Sequence, residues 1–235
     1  MEKLTARKAS AALKAHASAE KAVLLSGFFK TGKGEYGEGD RFLGVMVPEI
    51  RKAARHYHIL ALDELGKLLA SPYNEERLMA LIILGARYKK GDGGEKEAIF
   101  RLYIKNLSNV NNWNLVDLSA PYISGPHLAD GGRELLYKLA HSKNLWERRV
   151  AIISTSHFIR NGEFDDTLKI TDILINDKHD LIHKACGWML REVGKRDEAA
   201  LDRFLKERSK TMPRTMLRYA IERMEEGKRK KYLAR

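Results

Sequence analysis

Apolar residues recur along this chain at the spacing of helical turns and almost nowhere with the alternation of a strand. That pattern confines the fold to packed helices. Five prolines in 235 residues reinforce it, because they fall at the edges of the apolar periods and leave long stretches able to run as helix. The segment from Leu4 to Phe29, rich in Ala, Leu and Lys, reads as one or two helices, and the glycines from Gly32 to Gly39 then make a loop. Pro48 opens a helix through Glu49, Ile50 and Arg51, the usual first-turn place for proline. A shorter helix follows over 63–69. Ser71 to Asn74 cap the next one, which runs from Glu75 to about Tyr88 and stops at Gly91 to Gly94. Further helices are expected over 95–106, 112–119, 131–141, 144–159, 165–175, 180–193, 197–208 and 213–226. The expected fold class is all-α.

Some of these helices resemble one another. Trp113 precedes Trp146 by 33 residues, Trp146 precedes Ile182 by 36, and Glu75 heads a comparable helix 38 residues before Trp113. Helix pairs recurring at this interval suggest an α-solenoid (superhelix) of HEAT-like repeats, in which each pair buries its apolar stripe against its neighbours. A globular bundle whose helices are alike by chance is the alternative. The length suits one domain over residues 1–235, with a short basic tail at about 227–235.

Composition narrows the partners. Lys plus Arg number 43 against 31 Asp plus Glu, a formal charge of +12, which favours polyanions such as nucleic acid. The single cysteine, Cys186, excludes an intramolecular disulfide and a zinc site built on paired thiolates. Its small neighbours on an expected helix make it a packed core thiol. No apolar run reaches the ~18 residues of a membrane span, and the first residues lack an apolar leader. A soluble, cytoplasmic monomer without metal or cofactor is expected. Gly32 to Gly37 matches the letters of a phosphate-binding glycine loop, yet no strand precedes it and no helix opens inside it. It reads as a connection. Among the eight histidines, His56 and His58 stand close together, but no H-E-x-x-H occurs.

One constellation remains. Trp113 and Asp117 stand four apart on an expected helix, hence on one face. Arg148 and Arg149 follow Trp146 on a helix that Asn144 and Glu147 open as a capping box. Lys184, Trp188, Arg191 and Lys195 fall on a single helical stripe. A core-facing stripe does not carry three unpaired cations, since burying them is costly. A solvated face has little use for an indole. Indole beside cations suits nucleic acid: charge for phosphates, a flat apolar face for sugar or base. Trp146, near a helix start among apolar neighbours, reads as core, and Arg148 has a bland reading as the partner of a surface carboxylate.

These strings resemble the DNA alkylation repair family of HEAT-like-repeat DNA glycosylases, the AlkD type, over most of the chain. The resemblance is carried by Phe29-Lys-Thr-Gly with Glu38-Gly-Asp, and by Phe42-Leu-Gly with Pro48-Glu-Ile-Arg51. It continues in Asn112-Trp-Asn-Leu-Val-Asp117, Asn144-Leu-Trp-Glu-Arg-Arg149-Val-Ala-Ile and Lys184-Ala-Cys-Gly-Trp188-Met-Leu-Arg191-Glu. One departure is Asn114, where the family's W-D-x-V-D string has Asp. The resemblance implies a concave basic surface cradling double-stranded DNA and hydrolysis of the N-glycosidic bond of cationic N3- and N7-alkylated purines, without base flipping. By matching motif, Asp117 would be the catalytic carboxylate, Trp113 and Trp188 would pack against the deoxyribose, and Arg149 and Arg191 would hold the backbone. Arg148, Lys184 and Lys195 complete the expected DNA-binding set.

A single carboxylate suffices for this chemistry. Ordinary glycoside hydrolysis uses one carboxyl to protonate the leaving group and another to face the oxocarbenium-like centre. An alkylated purine that is already cationic leaves as a neutral base, so the acid is dispensable. Two other readings stand beside the enzyme. A non-catalytic DNA-binding or damage-sensing module would share the basic face and tryptophans but gain nothing from Asp117. A protein-interaction solenoid would carry apolar residues in place of Lys184, Arg191 and Lys195.

Overall fold

The computed structural model describes residues 4–234. Among them the chain forms sixteen α-helices and one short 3-10 turn, and the sole sheet-like pairing is an isolated bridge between Arg41 and Tyr73. The fold is all-α, as expected. It divides into two compact units, Met1–Ile123 and Ser124–Arg235.

The first unit comprises α1 (Ala6–Lys14), α2 (Ala19–Phe28), α3 (Val47–His56), α4 (Leu62–Leu69), α5 (Asn74–Lys90), α6 (Gly93–Lys105), a 3-10 turn (Leu107–Asn109) and α7 (Trp113–Asp117). α5 is its axle, packed against α1, α3, α4, α6 and α7. Leu78, Met79, Leu81, Ile83 and Leu84 are all buried there. A helix apolar on nearly every side belongs in a core. α2 differs from the rest: no residue of it is buried, and Val23, Leu24 and Phe28 are largely exposed. Its first turn is fixed to the loop before α3 by a bond from Ser18 N–H to the Leu43 carbonyl (2.9 Å). Gly44 makes that approach possible. Its φ is +81°, and a Cβ there would run into the backbone of Ser18 and Ala22.

The second unit comprises α8 (Ser124–Ala129), α9 (Glu134–Ala140), α10 (Leu145–Ser154), α11 (Ser156–Arg160), α12 (Asp165–Leu174), α13 (Asp180–Gly194), α14 (Glu198–Arg208), α15 (Arg214–Ala220) and α16 (Glu226–Leu233). α10 packs on α9, α12 and α13; α13 packs in turn on α12, α14 and α15. Neighbour-on-neighbour packing of this kind is how an α-solenoid closes its core. Gly187 lets α13 and α15 come together, because a Cβ there would lie 2.5 Å from the Met216 carbonyl oxygen and the Tyr219 Cβ. The four helix starts read as copies fall on α5, α7, α10 and α13. Within the units, α5 packs on α7 and α10 on α13.

The differences from expectation have local causes. The first apolar stretch takes the two-helix form, one of the two expected, because Ser18 caps α2, its hydroxyl accepting from Lys21 N–H. The 144–159 helix splits at Thr155, whose hydroxyl bonds back to the Ile152 carbonyl. The stretch expected as helix over 213–226 ends at Ala220. Much of the basic tail becomes α16, capped by Glu225 and pinned by Tyr232 Oη donating to Asp202 (2.6 Å).

Candidate active site

α7 is five residues long, so Trp113 and Asp117 are its two ends, one turn apart. It starts where it does because the Asn112 side chain accepts from Trp113 N–H (2.9 Å). Asn112 is itself held by Asp40, a buried carboxylate that also receives Asn74 (3.0 Å), Asn111 (3.1 Å) and Arg77 (2.5 Å). Asn114, the departure from the family string, donates to Asn74 Oδ1 at 2.7 Å and so joins the same network. The helix carrying the candidate carboxylate is therefore bolted to the first turn of α5 and to the 37–46 loop.

Trp113 and Asp117, both half-buried, face a groove of about 420 Å³. One wall is a stack of rings. Phe29 lies between Phe42 (centroids 5.0 Å apart, planes at 12°) and Trp113 (5.0 Å, 28°), and Phe28 meets Phe29 and Trp113 edge-on. Such offset and edge contacts fix ring orientation and leave apolar faces toward the groove. Glu75 also lines it, but its oxygens are committed: Leu43, Gly44 and Val45 N–H donate to them at 2.9–3.2 Å. Burial raises the Glu75 pKa, outweighing the backbone donors that lower it. Glu75 is an anchor for the loop that brings Phe42, Val45 and Met46 to the groove.

The cations singled out in the sequence lie in the second unit, on α10 and α13. Arg148 is spent internally, Nε on Asp177 (2.6 Å) and NH1 on the Ser142 and Lys143 carbonyls. Arg149 is buried and donates to the Leu181 carbonyl (2.6 Å). The expected α13 stripe exists, with Trp188 half-buried along it. Its three cations are paired: Lys184 with Asp180 (2.7 Å), Arg191 with Glu222, and Lys195 with Glu192 (2.7 Å). Trp146 is buried as core, and Asn144 caps α10 through Trp146 N–H (2.8 Å). Cys186 is buried, and burial pushes its thiol pKa up, as suits a packed core thiol.

Sequence reasoning missed the ring stack, the Asp40 and Glu75 anchors and the carboxylates on α13. Asp180 and Glu192 were findable, standing four and three residues from Lys184 and Lys195. Glu222 lies 31 residues from Arg191 and leaves no local signal.

Helices packed on their neighbours, with a carboxylate set among aromatic rings in the first unit, define an all-helical protein with a candidate reaction centre. The family model described as DNA alkylation repair enzyme matches residues 9–224, and the chain belongs to that family. In fold it is similar to a solved structure described as a predicted DNA alkylation repair enzyme from Enterococcus faecalis. That likeness has a TM-score of 0.68 at 17% identity, over 90% of this chain and 98% of that one. No curated protein matches the chain. Among the described residues, no helix is long and apolar enough to cross a membrane.

Proposed function

We propose that this protein is a DNA glycosylase that hydrolyses the N-glycosidic bond of cationic alkylated purines, N3-methyladenine and N7-methylguanine, in duplex DNA without flipping the base. The observation that carries this reading is Asp117 beside Trp113 and the Phe29–Phe42 stack, with the neighbouring Glu75 committed to backbone donors. That arrangement sets Asp117 beside a Glu75 whose oxygens serve the Leu43, Gly44 and Val45 N–H groups, which suits a leaving group needing no proton. A carboxylate about 4 Å from the developing sugar cation, at an effective dielectric near 20, attracts it by roughly 4 kcal/mol, on the order of a thousandfold in rate. Indole faces beside the ribose add about 0.5–2 kcal/mol each. In this account Trp113 contacts the deoxyribose, while Lys184, Arg191 and Lys195 on α13 serve the backbone by exchanging their carboxylates for phosphates.

The test is release of free base from methylated duplex DNA. N7-methylguanine and N3-methyladenine are expected to leave, and neutral uracil and hypoxanthine to stay. Binding without any release would favour the damage-sensing module instead. Efficient uracil release would overturn the single-carboxylate mechanism.

A further inference from the structure

Asp40 does more than hold Asn112 in place, because it also gives a chain of hydrogen bonds its direction. Its partners Arg77, Asn74, Asn111 and Asn112 all donate to it. A carboxylate paired with a guanidinium offers acceptors alone. Asn74 is buried, so it turns its amide nitrogen to Asp40 (3.0 Å) and its carbonyl oxygen the other way. The reverse orientation would set two oxygens against each other with no proton between them. That carbonyl meets Asn114 Nδ2 at 2.7 Å, and the Asn114 carbonyl accepts from Asn74 Nδ2 at a longer 3.4 Å. Residue 114 therefore faces a carbonyl and has to donate. Asparagine does so. A carboxyl of the same shape donates only when it is neutral.

Asn114 and Asp117 stand three apart on α7, hence on one face, and both line the groove with Asn74 and Glu75. A helix of five residues is too short to hold itself. The N–H groups of Leu115 and Val116 return to the Asn112 carbonyl, and the Asn112 side chain is tied to Asp40. Asn114 adds a second tie, from the face that carries Asp117 to the first turn of α5. One tie fixes where the helix starts. Two fix its rotation, and rotation decides where the Asp117 oxygens lie. A reacting group misplaced by about 1 Å loses on the order of a hundredfold in rate.

We propose that Asn114 is a positioning residue: as the donor that ends the Asp40–Asn74–Asn114 relay, it holds α7 in the rotation that presents Asp117. Its effect on rate rests on the glycosylase reading, whereas its effect on α7 does not. The experiment compares the full chain with Asn114→Asp and Asn114→Ala at neutral and mildly acid pH, with two readouts taken as ratios to wild type at each pH. One is hydrogen exchange of the α7 amides. The other is single-turnover release of N7-methylguanine at saturating enzyme, which duplex affinity does not enter. At neutral pH Asn114→Asp sets a carboxylate against the Asn74 carbonyl. Exchange is expected to rise and release to fall by about tenfold or more, the scale of one hydrogen bond lost at a buried acceptor. The Asn74 carbonyl, Asp40, Glu75 and Asp117 favour the neutral form of the new carboxyl, and Arg77, already taken by Asp40, opposes it. Once neutral it donates again, so both ratios recover in acid. Asn114→Ala lacks the donor at either pH and does not recover. Circular dichroism checks folding, and Asn114→Ala carries both readouts if Asn114→Asp does not fold. Wild-type exchange in Asn114→Ala, or an Asn114→Asp defect that does not lessen in acid, overturns the relay. Faster exchange with wild-type release in both variants overturns the positioning role. If the full chain releases no methylated base, the glycosylase reading fails and the exchange ratios alone decide whether the relay holds α7.

Discussion

In the Met1–Ile123 unit, the buried carboxylates Asp40 and Glu75 are committed to donors that hold one loop and one short helix. In the Ser124–Arg235 unit, Asp177, Asp180, Glu192 and Glu222 each hold a cation of α10 or α13. Both units stack helices on their neighbours and each holds a mostly buried pair, Asp40 with Arg77 and Asp177 with Arg148, but the pairs along α13 are more open. Asp40 and Arg77 are almost wholly buried, so each depends on the other. Lys184 and Asp180 are about half exposed, and such a pair contributes well under ~1 kcal/mol. The first kind of pair builds geometry. The second is easily traded for a phosphate.

The sharpest way to break this contrast is Asp40→Ala. It strands the buried Arg77 charge and releases Asn74, Asn111 and Asn112. Removing one partner of a buried pair costs about 3–5 kcal/mol, so the melting temperature is expected to fall by about 10 °C. A drop of only a degree or two would mean that the network is ornamental. Gly187→Val probes the second unit, where helix contact replaces charge as the constraint. A Cβ 2.5 Å from two α15 atoms forces α13 and α15 apart, at about 1–3 kcal/mol. Wild-type stability in thermal melts would contradict the packing described. The smallest effect is expected on α2. Leu24 is 65% exposed, so Leu24→Gln is expected to change stability by less than about 0.5 kcal/mol. A larger loss in a urea titration would show that the apolar face of α2 is covered in the folded protein.

Much of this was legible in the sequence where the cause was local. Apolar periodicity gave the helices, and a spacing of four put Trp113 and Asp117 on one face. The small neighbours of Cys186 marked a core thiol, and Asn144 marked a helix start. What escaped was built by contacts between distant residues. Glu75 serves N–H groups about thirty positions earlier, at Leu43 to Val45, and Asp40 reaches 72 residues ahead to Asn112. The α13 stripe was legible as a stripe but not as a paired one, because Glu222 arrives from beyond α15. The basic tail reads as solvated charge. Its helix depends on Tyr232 reaching Asp202 on α14, a contact 30 residues long.

The central claim is that the Asp117 carboxylate stabilises a cationic sugar. It is tested most directly by single-turnover release of N7-methylguanine from methylated duplex by Asp117→Asn. The substitution keeps size and much of the hydrogen bonding while removing the charge. Release is expected to fall by ~10²-fold or more, the cost of losing one electrostatic contact in a preorganised site. Duplex affinity is expected to stay the same or tighten slightly, since a charge that repels phosphates has gone. Helicity is expected to be nearly unchanged. Release of methylated base at the wild-type rate would make Asp117 a structural residue and end its catalytic assignment.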